Sequence, residues 1–243
     1  MNVFGMSKLG LIRKNNEDCY LIDNQVFFEK SYKGLNKNHT SFAVFDGLGG
    51  RNAGEVASFE AAKLLAKKLK ETDNNFPEII IEINEEIIKL GNSKTEYNGM
   101  GTTIAGIKIE DETVHVYNMG DSIIFRIRDN NIEELTVEHS LALKMLAEGI
   151  NLEEANNFRH VMTKCLGKLD MTISDVSYKR LVNGAKEKDL FLLTTDGVTD
   201  LVTQTEILEI FVNNNIETAI SKLEHNILEK GARDNYTLIV VEI

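Results

Sequence analysis

Four aspartates of this chain each adjoin a strongly apolar run, and carboxylates are the ligands that hard divalent cations prefer. They are Asp46, Asp121, Asp196 and Asp234. Asp46 and Asp196 precede a glycine, whereas Asp121 lies in Gly-Asp-Ser and Asp234 lies in Arg-Asp-Asn. An isolated Asp-Gly pair is more typical of a plain turn. A functional prediction therefore depends on whether the fold brings the four carboxylates together.

The chemistry available to such a cluster follows from its ligand types. Oxygen ligands without His or Cys select Mg²⁺ or Mn²⁺. Two such ions about 3.5–4 Å apart can deprotonate a bridging water and stabilise an in-line displacement at phosphorus. Arg13 suits a phosphate group, because its guanidinium can donate to two oxygens at once. The residues therefore support a hypothesis of metal-dependent hydrolysis of a phosphate ester.

Strands and helices that could position these residues are predicted from the spacing of apolar residues. Short strands are predicted within residues 1–30, and longer ones at 42–45, 101–109, 114–119, 123–127, 173–178, 190–193 and 236–241. Helices are predicted at 53–70, 77–91, 141–147, 205–212 and 217–230. Each of the four aspartates then lies at or near the end of a strand.

The order of these elements predicts the fold class. Period-2 alternation with short turns indicates antiparallel pairing, and the helix pairs lie between blocks of strands. We predict an α+β fold with a central antiparallel β-sandwich flanked by helix pairs on both faces, in α-β-β-α layers. Because no linker, repeat or low-complexity segment interrupts the chain, we predict a single domain over residues 1–243. The polar stretch up to Arg159 is expected to be a mobile surface excursion.

Composition excludes several classes of function. The 243 residues carry a formal net charge of −11, which argues against nucleic-acid binding. The two cysteines, Cys19 and Cys165, lack metal-type spacing and are too few for a disulfide framework. The first residues show no signal-peptide pattern, and no apolar run approaches the roughly 18 residues of a membrane span. A cytoplasmic protein without membrane association is expected.

Seven short motifs occur in a fixed order along nearly the whole chain. They are RKNNED at 13–18, FDGLGG at 45–50, GTT at 101–103, GDS at 120–122, LTVEHS at 135–140, TTDG at 194–197 and ARDN at 232–235. Each is weak alone, but in this order and spacing the chain resembles the type 2C family of metal-dependent serine/threonine protein phosphatases, in its short bacterial form. The resemblance implies a phosphatase that attacks phosphoserine and phosphothreonine with a metal-activated water.

The resemblance also implies a set of ligands for Mg²⁺ or Mn²⁺. Asp46 would bridge two ions, with the carbonyl of Gly47 on one of them. Asp196 and Asp234 would complete the other ion, largely through waters. Asp121, together with Asp196, would hold a third, weaker ion.

Further roles are implied for residues around the metals. Arg13 would bind the substrate phosphate, and Glu17 and Asp18 would bind metal-coordinated water. Asn235 would support the site from beside its neighbouring aspartate. The segment at about 141–168 corresponds to the family's flap, which approaches the bound substrate. Phosphorylated targets of a bacterial serine/threonine kinase, and the kinase itself, are the implied partners of a monomeric enzyme.

Three positions depart from the family's usual pattern. Leu48 stands where many eukaryotic members have a histidine thought to protonate the leaving group, although bacterial members commonly lack it. We expect a metal-bound water to take that role. Glu138 replaces the usual aspartate, and Lys164 stands where bacterial relatives often have arginine. These two changes concern flap packing and substrate choice more than the metals.

Other functions compete with this hypothesis. A nucleotide-binding loop is disfavoured, because Asn52 occupies the place of the last glycine of the dinucleotide fingerprint and Glu55 the place of the Walker lysine. The five histidines are scattered, and only His139 and His160, which flank the flap, keep some interest. Two alternatives stay open: an inactive relative that acts as a binding or regulatory module, and a phosphatase of small-molecule phosphates.

Overall fold

The computed structural model describes residues 1–35, 37–48, 53–71 and 75–243. Its strands are β1 (Asn2–Lys8), β2 (Cys19–Ile22), β3 (Gln25–Phe27), β4 (Ser31–Gly34), β5 (Ser41–Phe45), β6 (Gly47–Leu48), β7 (Gly101–Thr102), β8 (Ile104–Glu110), β9 (Thr113–Met119), β10 (Ile123–Arg128), β11 (Asn131–Glu134), β12 (Ser177–Leu181), β13 (Leu190–Thr194) and β14 (Tyr236–Glu242). Its α-helices are α1 (Gly54–Glu71), α2 (Phe76–Gly91), α3 (Leu141–Ala147), α4 (Leu152–Asn156), α5 (Asp196–Thr199), α6 (Gln204–Val212) and α7 (Ile216–Glu229). Short 3₁₀ helices span Thr95–Tyr97 and Ile173–Asp175.

The strands form two large antiparallel sheets. The first sheet has the order β11-β10-β13-β14-β1-β4, and the second has the order β12-β9-β8-β5-β2-β3. Neighbouring strands pair antiparallel in both sheets. The two-residue strands β6 and β7 pair separately, beside the end of β5.

The core between the sheets is built from alternate residues of their central strands. In β5, Phe42 and Val44 pack against Phe191 and Ile239 of the first sheet, within one buried cluster. Ala43 and Phe45 of β5 belong to a different cluster, which includes residues of α1 and α2. Because both faces of β5 are covered, the strand appears in the sequence as a continuous apolar run.

Helix pairs cover the outer faces of both sheets. Helices α1 and α2 bury apolar stripes against the second sheet, with Ala57, Ala61 and Ile83 among the fully covered residues. Helices α6 and α7 bury Ile207 and Leu223 against the first sheet. The layers are therefore α-β-β-α, and the predicted fold class is confirmed. In the ranges described, no helix is long and apolar enough to cross a membrane.

Two predicted strands differ from those observed. The predicted strand at 173–178 is wrong in its first half: a 3₁₀ helix forms there because Thr172 and Asp175 cap each other's backbone. Strand β12 begins only at Ser177. The predicted strand at 101–109 is interrupted at Thr103, because its N–H donates to a carbonyl of the β5–β6 connection instead of a strand partner.

Helix α4 was also missed within the weakly patterned stretch. The side chain of Asn151 accepts from the N–H of Glu154 and begins this short helix.

Candidate active site

Strand pairing in the second sheet places two predicted acidic residues side by side. Cys19 of β2 lies opposite Phe45 of β5. Asp18 precedes the first of these residues and Asp46 follows the second, so their backbones adjoin at one edge of the sheet.

The first sheet supplies two more carboxylates at the same edge. Thr194 at the end of β13 lies opposite Leu238 near the start of β14. Asp196 therefore begins the segment that leaves this edge, and Asp234 ends the segment that returns to it.

A cleft of about 960 Å³ opens where these strand ends meet. The predicted site residues that line it are Arg13, Glu17, Asp46, Gly47, Asp121, Asp196, Asp234 and Asn235. Asp18 is only 1% exposed. The fold thus brings together residues that are far apart in the chain, such as Arg13 and Asp234, which are 221 positions apart.

The Gly-Thr-Thr motif holds the backbone of Asp46. Its carbonyl accepts from Thr102 Oγ1 and from the N–H of Thr103, both at 2.8 Å. Its N–H donates to Thr103 Oγ1 at 2.9 Å, and the same hydroxyl lies 2.8 Å from Ser122 Oγ. The motif therefore joins Asp46 to the turn that carries Asp121.

A buried polar network fixes Asp18 between the two sheets. Asp18 Oδ2 accepts from Thr195 Oγ1 at 2.8 Å, and this hydroxyl also accepts from the N–H of Thr237. The N–H of Asp18 donates to Asn16 Oδ1, and Asn16 Nδ2 donates to Ser7 Oγ at 2.9 Å. Sequence reasoning interpreted Asn16 as an ordinary loop residue and missed the supporting hydroxyls of Thr195 and Ser7.

Arg13 and Asn235 organise the exposed side of the cleft around Asp234. Arg13 Nη2 donates to Asp234 Oδ2 at 2.5 Å, and the Arg13 side chain is 54% exposed. Asn235 Oδ1 accepts from the N–H of Glu17, and its Nδ2 donates to the carbonyl of Leu9. Asn235 thereby ties the predicted phosphate-binding loop to the start of β14.

Two glycines are required by close approach of the backbone. A Cβ on Gly47 would lie 2.3 Å from the carbonyl oxygen of Gly54 and 2.6 Å from that of Glu17. Gly120 has a φ of 125°, and its Cβ would lie 2.6 Å from the Cβ of Thr103. Side chains at either position would push apart the elements that carry the carboxylates.

The carboxylates of the cleft are held in an unfavourable electrostatic environment. Burial raises the pKa of Asp18 to about 8 and that of Asp121 to about 7. Burial also raises the pKa of Asp46 well above its ordinary value, and the neighbouring Asp18 and Asp196 add to the rise. The pKa values of Asp196 and Glu17 are raised, again chiefly by burial. The fold thus holds several carboxyl groups close together, although their charged forms are destabilised there.

The same carboxylates fit a divalent cation. Asp121 Oδ1 and Asp196 Oδ1 are buried and have no hydrogen-bond partner among the described residues. A buried carboxylate oxygen without a partner is costly, whereas a cation would satisfy and neutralise it. The donor set around Asp46 and Gly47 consists of carboxylate and backbone oxygens, which suits Mg²⁺ or Mn²⁺.

His139 connects the Gly-Asp-Ser turn to the neighbouring segments. Its Nδ1 accepts from the N–H of Gly120 at 3.1 Å, so Nε2 carries the proton and donates to Ser177 Oγ at 3.0 Å. Its carbonyl accepts from Thr163 Oγ1. Burial lowers the pKa of His139 to about 4, which keeps the ring neutral.

Further residues line the cleft, among them Arg159, His160 and Asp200, and sequence reasoning gave weight only to the histidine of these three. Arg159 Nη2 donates to Asp200 Oδ1, and His160 Nδ1 lies 3.9 Å from Asp200 Oδ2. Asp200 could have been found from its position four residues after Asp196, which places both on one face of a helical turn. Leu48 also lines the cleft, whereas residues 49–52 of the glycine-rich stretch lie outside the described residues.

A family model described as protein phosphatase 2C matches residues 2–236. The chain belongs to the protein phosphatase 2C family. One similar member is serine/threonine phosphatase stp of Listeria monocytogenes serotype 4b (strain F2365), which is 32% identical over 248 residues and covers 96% of this chain and 92% of that protein. Serine/threonine protein phosphatase PstP of Mycobacterium tuberculosis (strain CDC 1551 / Oshkosh) is 27% identical and covers 98% of this chain and 44% of that protein.

Solved structures of other phosphatases share the fold. A bacterial serine phosphatase aligns with a TM-score of 0.82 at 28% identity, over 99% of this chain and 97% of that one. Serine/threonine phosphatase Stp1 from Staphylococcus aureus aligns with a TM-score of 0.82 at 29% identity, over 99% and 94%. The catalytic domain of PstP, solved with two manganese ions, aligns with a TM-score of 0.79 at 25% identity, over 100% and 99%.

Membership in the phosphatase 2C family confirms three predictions for this chain. The family, the α+β sandwich and the class of enzyme, a protein phosphatase, all agree with the sequence-based expectation.

Proposed function

We propose that the chain hydrolyses phosphoserine and phosphothreonine in proteins at a binuclear Mg²⁺ or Mn²⁺ centre. The observation that carries this proposal is the convergence of four aspartates on one cleft, where two buried carboxylate oxygens have no partner among the described residues. The two manganese ions in the PstP catalytic domain support the choice of metal.

The ligands that would hold the cations follow from the cleft. Asp46 would bridge two ions, with the Gly47 carbonyl on one, and Asp196 and Asp234 would complete the other. Asp121, with Asp196, would hold a third. Cations bound there supply the Lewis acid that activates water for attack on phosphorus and neutralises the charge that develops.

Other residues bind and orient the reactants. Arg13, whose half-exposed guanidinium lines the cleft, binds the phosphate oxygens. Glu17 would bind metal-coordinated water from the wall of the cleft, and Asp18, which is buried, would do so as well. Leu48 has no proton to donate, so the leaving oxygen takes its proton from water in the cleft. The segment at 141–168 acts as a flap over the substrate.

We further propose a cellular setting for the enzyme. Its substrates are phosphoproteins made by a bacterial serine/threonine kinase, and the kinase itself is one of them. The two cysteines, Cys19 and Cys165, are free thiols, which supports a reducing compartment such as the cytoplasm. The enzyme acts there as a monomer in signalling.

Hydrolysis assays test this function. An aryl phosphate and a phosphothreonine peptide are offered to the native protein with Mn²⁺ and with a chelator. We expect metal-dependent release of phosphate from both, and turnover of the aryl phosphate alone would favour a small-molecule phosphatase. Absence of metal-dependent turnover of either would contradict the enzymatic function and favour a binding module.

One substitution tests the metal assignment. Asp46→Asn removes the bridging charge, and the loss of several kcal/mol of transition-state stabilisation corresponds to a fall of about 10³-fold in kcat. Asp129→Asn makes the same change in an exposed turn and serves as the control. A near-native rate for Asp46→Asn would refute the binuclear assignment.

A further inference from the structure

One arginine of the cleft has no role in the proposed mechanism. Arg233 is exposed and lines the cleft, as do Arg13 and Arg159. Arg13 donates to Asp234, and Arg159 donates to Asp200. Arg233, in contrast, forms no ion pair or side-chain hydrogen bond with the residues that the structure describes. Its guanidinium is therefore available to a ligand.

The backbone that carries Arg233 is held on both sides. Ala232 before it is fully buried, its carbonyl accepts from the N–H of Leu11 at 2.8 Å, and its N–H donates to a carbonyl near the end of α7 at 3.0 Å. Asp234 after it accepts, through Oδ1, from the N–H of Asn235 at 2.8 Å. The base of the Arg233 side chain is thus fixed at the edge of the cleft.

An exposed apolar surface adjoins this arginine. The loop that carries Leu11 and Ile12 packs so closely against the loop of Arg233 that a Cβ on Gly10 would lie 2.7 Å from the carbonyl oxygen of Ala232. Leu11 and Ile12 are 62% and 69% exposed, and Ile12 lines the cleft. Adjacent apolar side chains at the edge of a binding cleft favour contact with a partner that can cover them. A peptide can cover them and also present a charged group to the guanidinium, whereas a free anion cannot.

We propose that Arg233 binds an acidic side chain of the substrate, one or two residues from the phosphorylated residue. The proposal rests on the proposed function, because it assigns a second contact to a phosphopeptide whose phosphate binds Arg13. Asp234 follows Arg233 directly and contacts Arg13, so the two arginines lie on the same side of the cleft. An extended peptide spans about 3.3–3.6 Å per residue, which keeps such a neighbouring side chain within the reach of an arginine.

The charge of the cleft favours a carboxylate as the group that is bound. Most of the charged residues that line the cleft are acidic, so an acidic peptide needs a cation at the edge to offset repulsion. The guanidinium of Arg233 can donate two parallel hydrogen bonds to one carboxylate. A second phosphoryl group carries nearly twice the charge of a carboxylate and would be repelled more strongly by the same acids.

Binding of non-hydrolysable peptides tests this contact without turnover. Each peptide carries a phosphonate analogue of phosphothreonine, with Glu, Gln or Lys at a position one or two residues to either side. The Kd for the native Mn²⁺-loaded protein is measured by fluorescence anisotropy. At the contacted position we expect Glu to bind about threefold to tenfold more tightly than Gln, since the ion pair is partly exposed. This preference should shrink as the salt concentration rises.

Variants and a matched control assign the preference to Arg233. Arg233→Gln should abolish the preference for Glu, and Arg233→Glu should reverse it in favour of Lys. Arg180 provides the control, because it is an exposed arginine on β12 that does not line either cleft. The same two substitutions at Arg180 should leave the preference for Glu intact, although they change the net charge equally.

The outcomes separate this inference from the proposed function. Equal binding of the Glu and Gln peptides by the native protein, or a preference for Glu that persists in Arg233→Gln, would overturn the inference. Hydrolysis of an aryl phosphate and of a phosphothreonine peptide is measured on the same native protein. Turnover without a preference for Glu would leave the proposed function standing and overturn the inference. A preference for Glu without turnover would uphold the Arg233 contact while refuting the enzymatic function.

Discussion

Replacing Asp121 with asparagine should stabilise the metal-free protein while weakening its hold on metal. Asp121 is 8% exposed, one of its oxygens has no partner among the described residues, and burial raises its pKa to about 7. Its charged form is therefore disfavoured in the folded chain whenever no cation is bound. An asparagine at this position would keep the shape of the side chain without that charge.

The size and sign of the effect follow from proton linkage. The carboxyl group has an ordinary pKa of 3.8, so the unfolded chain releases this proton near pH 4 and the folded chain keeps it to about pH 7. Between these values the folded state binds more protons, and the free energy of unfolding falls as pH rises. A rise of roughly 3 pH units sets an upper limit of about 4 kcal/mol. Since neighbouring Asp196 shares the penalty, we expect about 2 kcal/mol, or roughly 4–8 °C in Tm.

Thermal unfolding in chelator from pH 5 to pH 8 measures the effect. The gain in Tm of Asp121→Asn over the native protein should grow as pH rises and level off above pH 7. Asp129→Asn, in an exposed turn, should show no such gain. With saturating Mn²⁺ the order should reverse, because the native carboxylate then binds a cation. A variant that is less stable than the native protein in chelator at pH 8 would refute the reasoning.

Two further substitutions test parts of the cleft. Arg13→Ala should raise KM for a phosphopeptide about 10- to 100-fold, because a charge-assisted hydrogen bond contributes about 1.5–3 kcal/mol. The effect on kcat should be smaller. An unchanged KM would contradict the proposed role of Arg13 in binding the phosphate. His139→Ala should increase the Mn²⁺ concentration needed for half-maximal activity, because the turn that carries Asp121 loses its bond at Gly120. His139→Asn, which keeps an acceptor, should restore part of that metal affinity, and equal behaviour of the two variants would count against positioning by hydrogen bonding.

Much of the fold could be predicted because its signals are local. Helix α1 is visible from apolar residues at helical spacing, and β5 from its unbroken apolar run. The 173–178 segment failed because Ile173 looks like a strand residue, whereas the reciprocal capping of Thr172 and Asp175 closes a helical turn there. The local pattern of apolar residues does not show whether a polar side chain will favour a strand or a helical turn by bonding to the backbone.

The types of metal ligand at the site could be predicted from the sequence, but the side chains that hold those ligands in place could not. Carboxylates at strand ends were visible, because strands of one sandwich end at common edges. The bond from Thr195 to Asp18 was not, because it crosses from one sheet to the other over 177 positions of the chain. Asp200 was missed because α5 is a single turn, so no longer helical pattern supports its spacing of four residues from Asp196.

The polar groups in and around the cleft fall into two sets: supporting groups that have hydrogen-bond partners, and carboxylates with oxygens that have none among the described residues. Asp18, though fully buried, has its side-chain oxygen bonded to Thr195, and Asn16 beside it donates to Ser7. Such a network is rigid, because every broken bond would leave a buried polar group unpaired. Asp121, by contrast, lines the cleft and has an oxygen without a partner among the described residues. The chain thus supplies partners for the groups that set the geometry of the cleft, whereas Asp121 Oδ1, at a proposed cation ligand, has none among the described residues. Removing the charge of this carboxylate should therefore stabilise the metal-free fold.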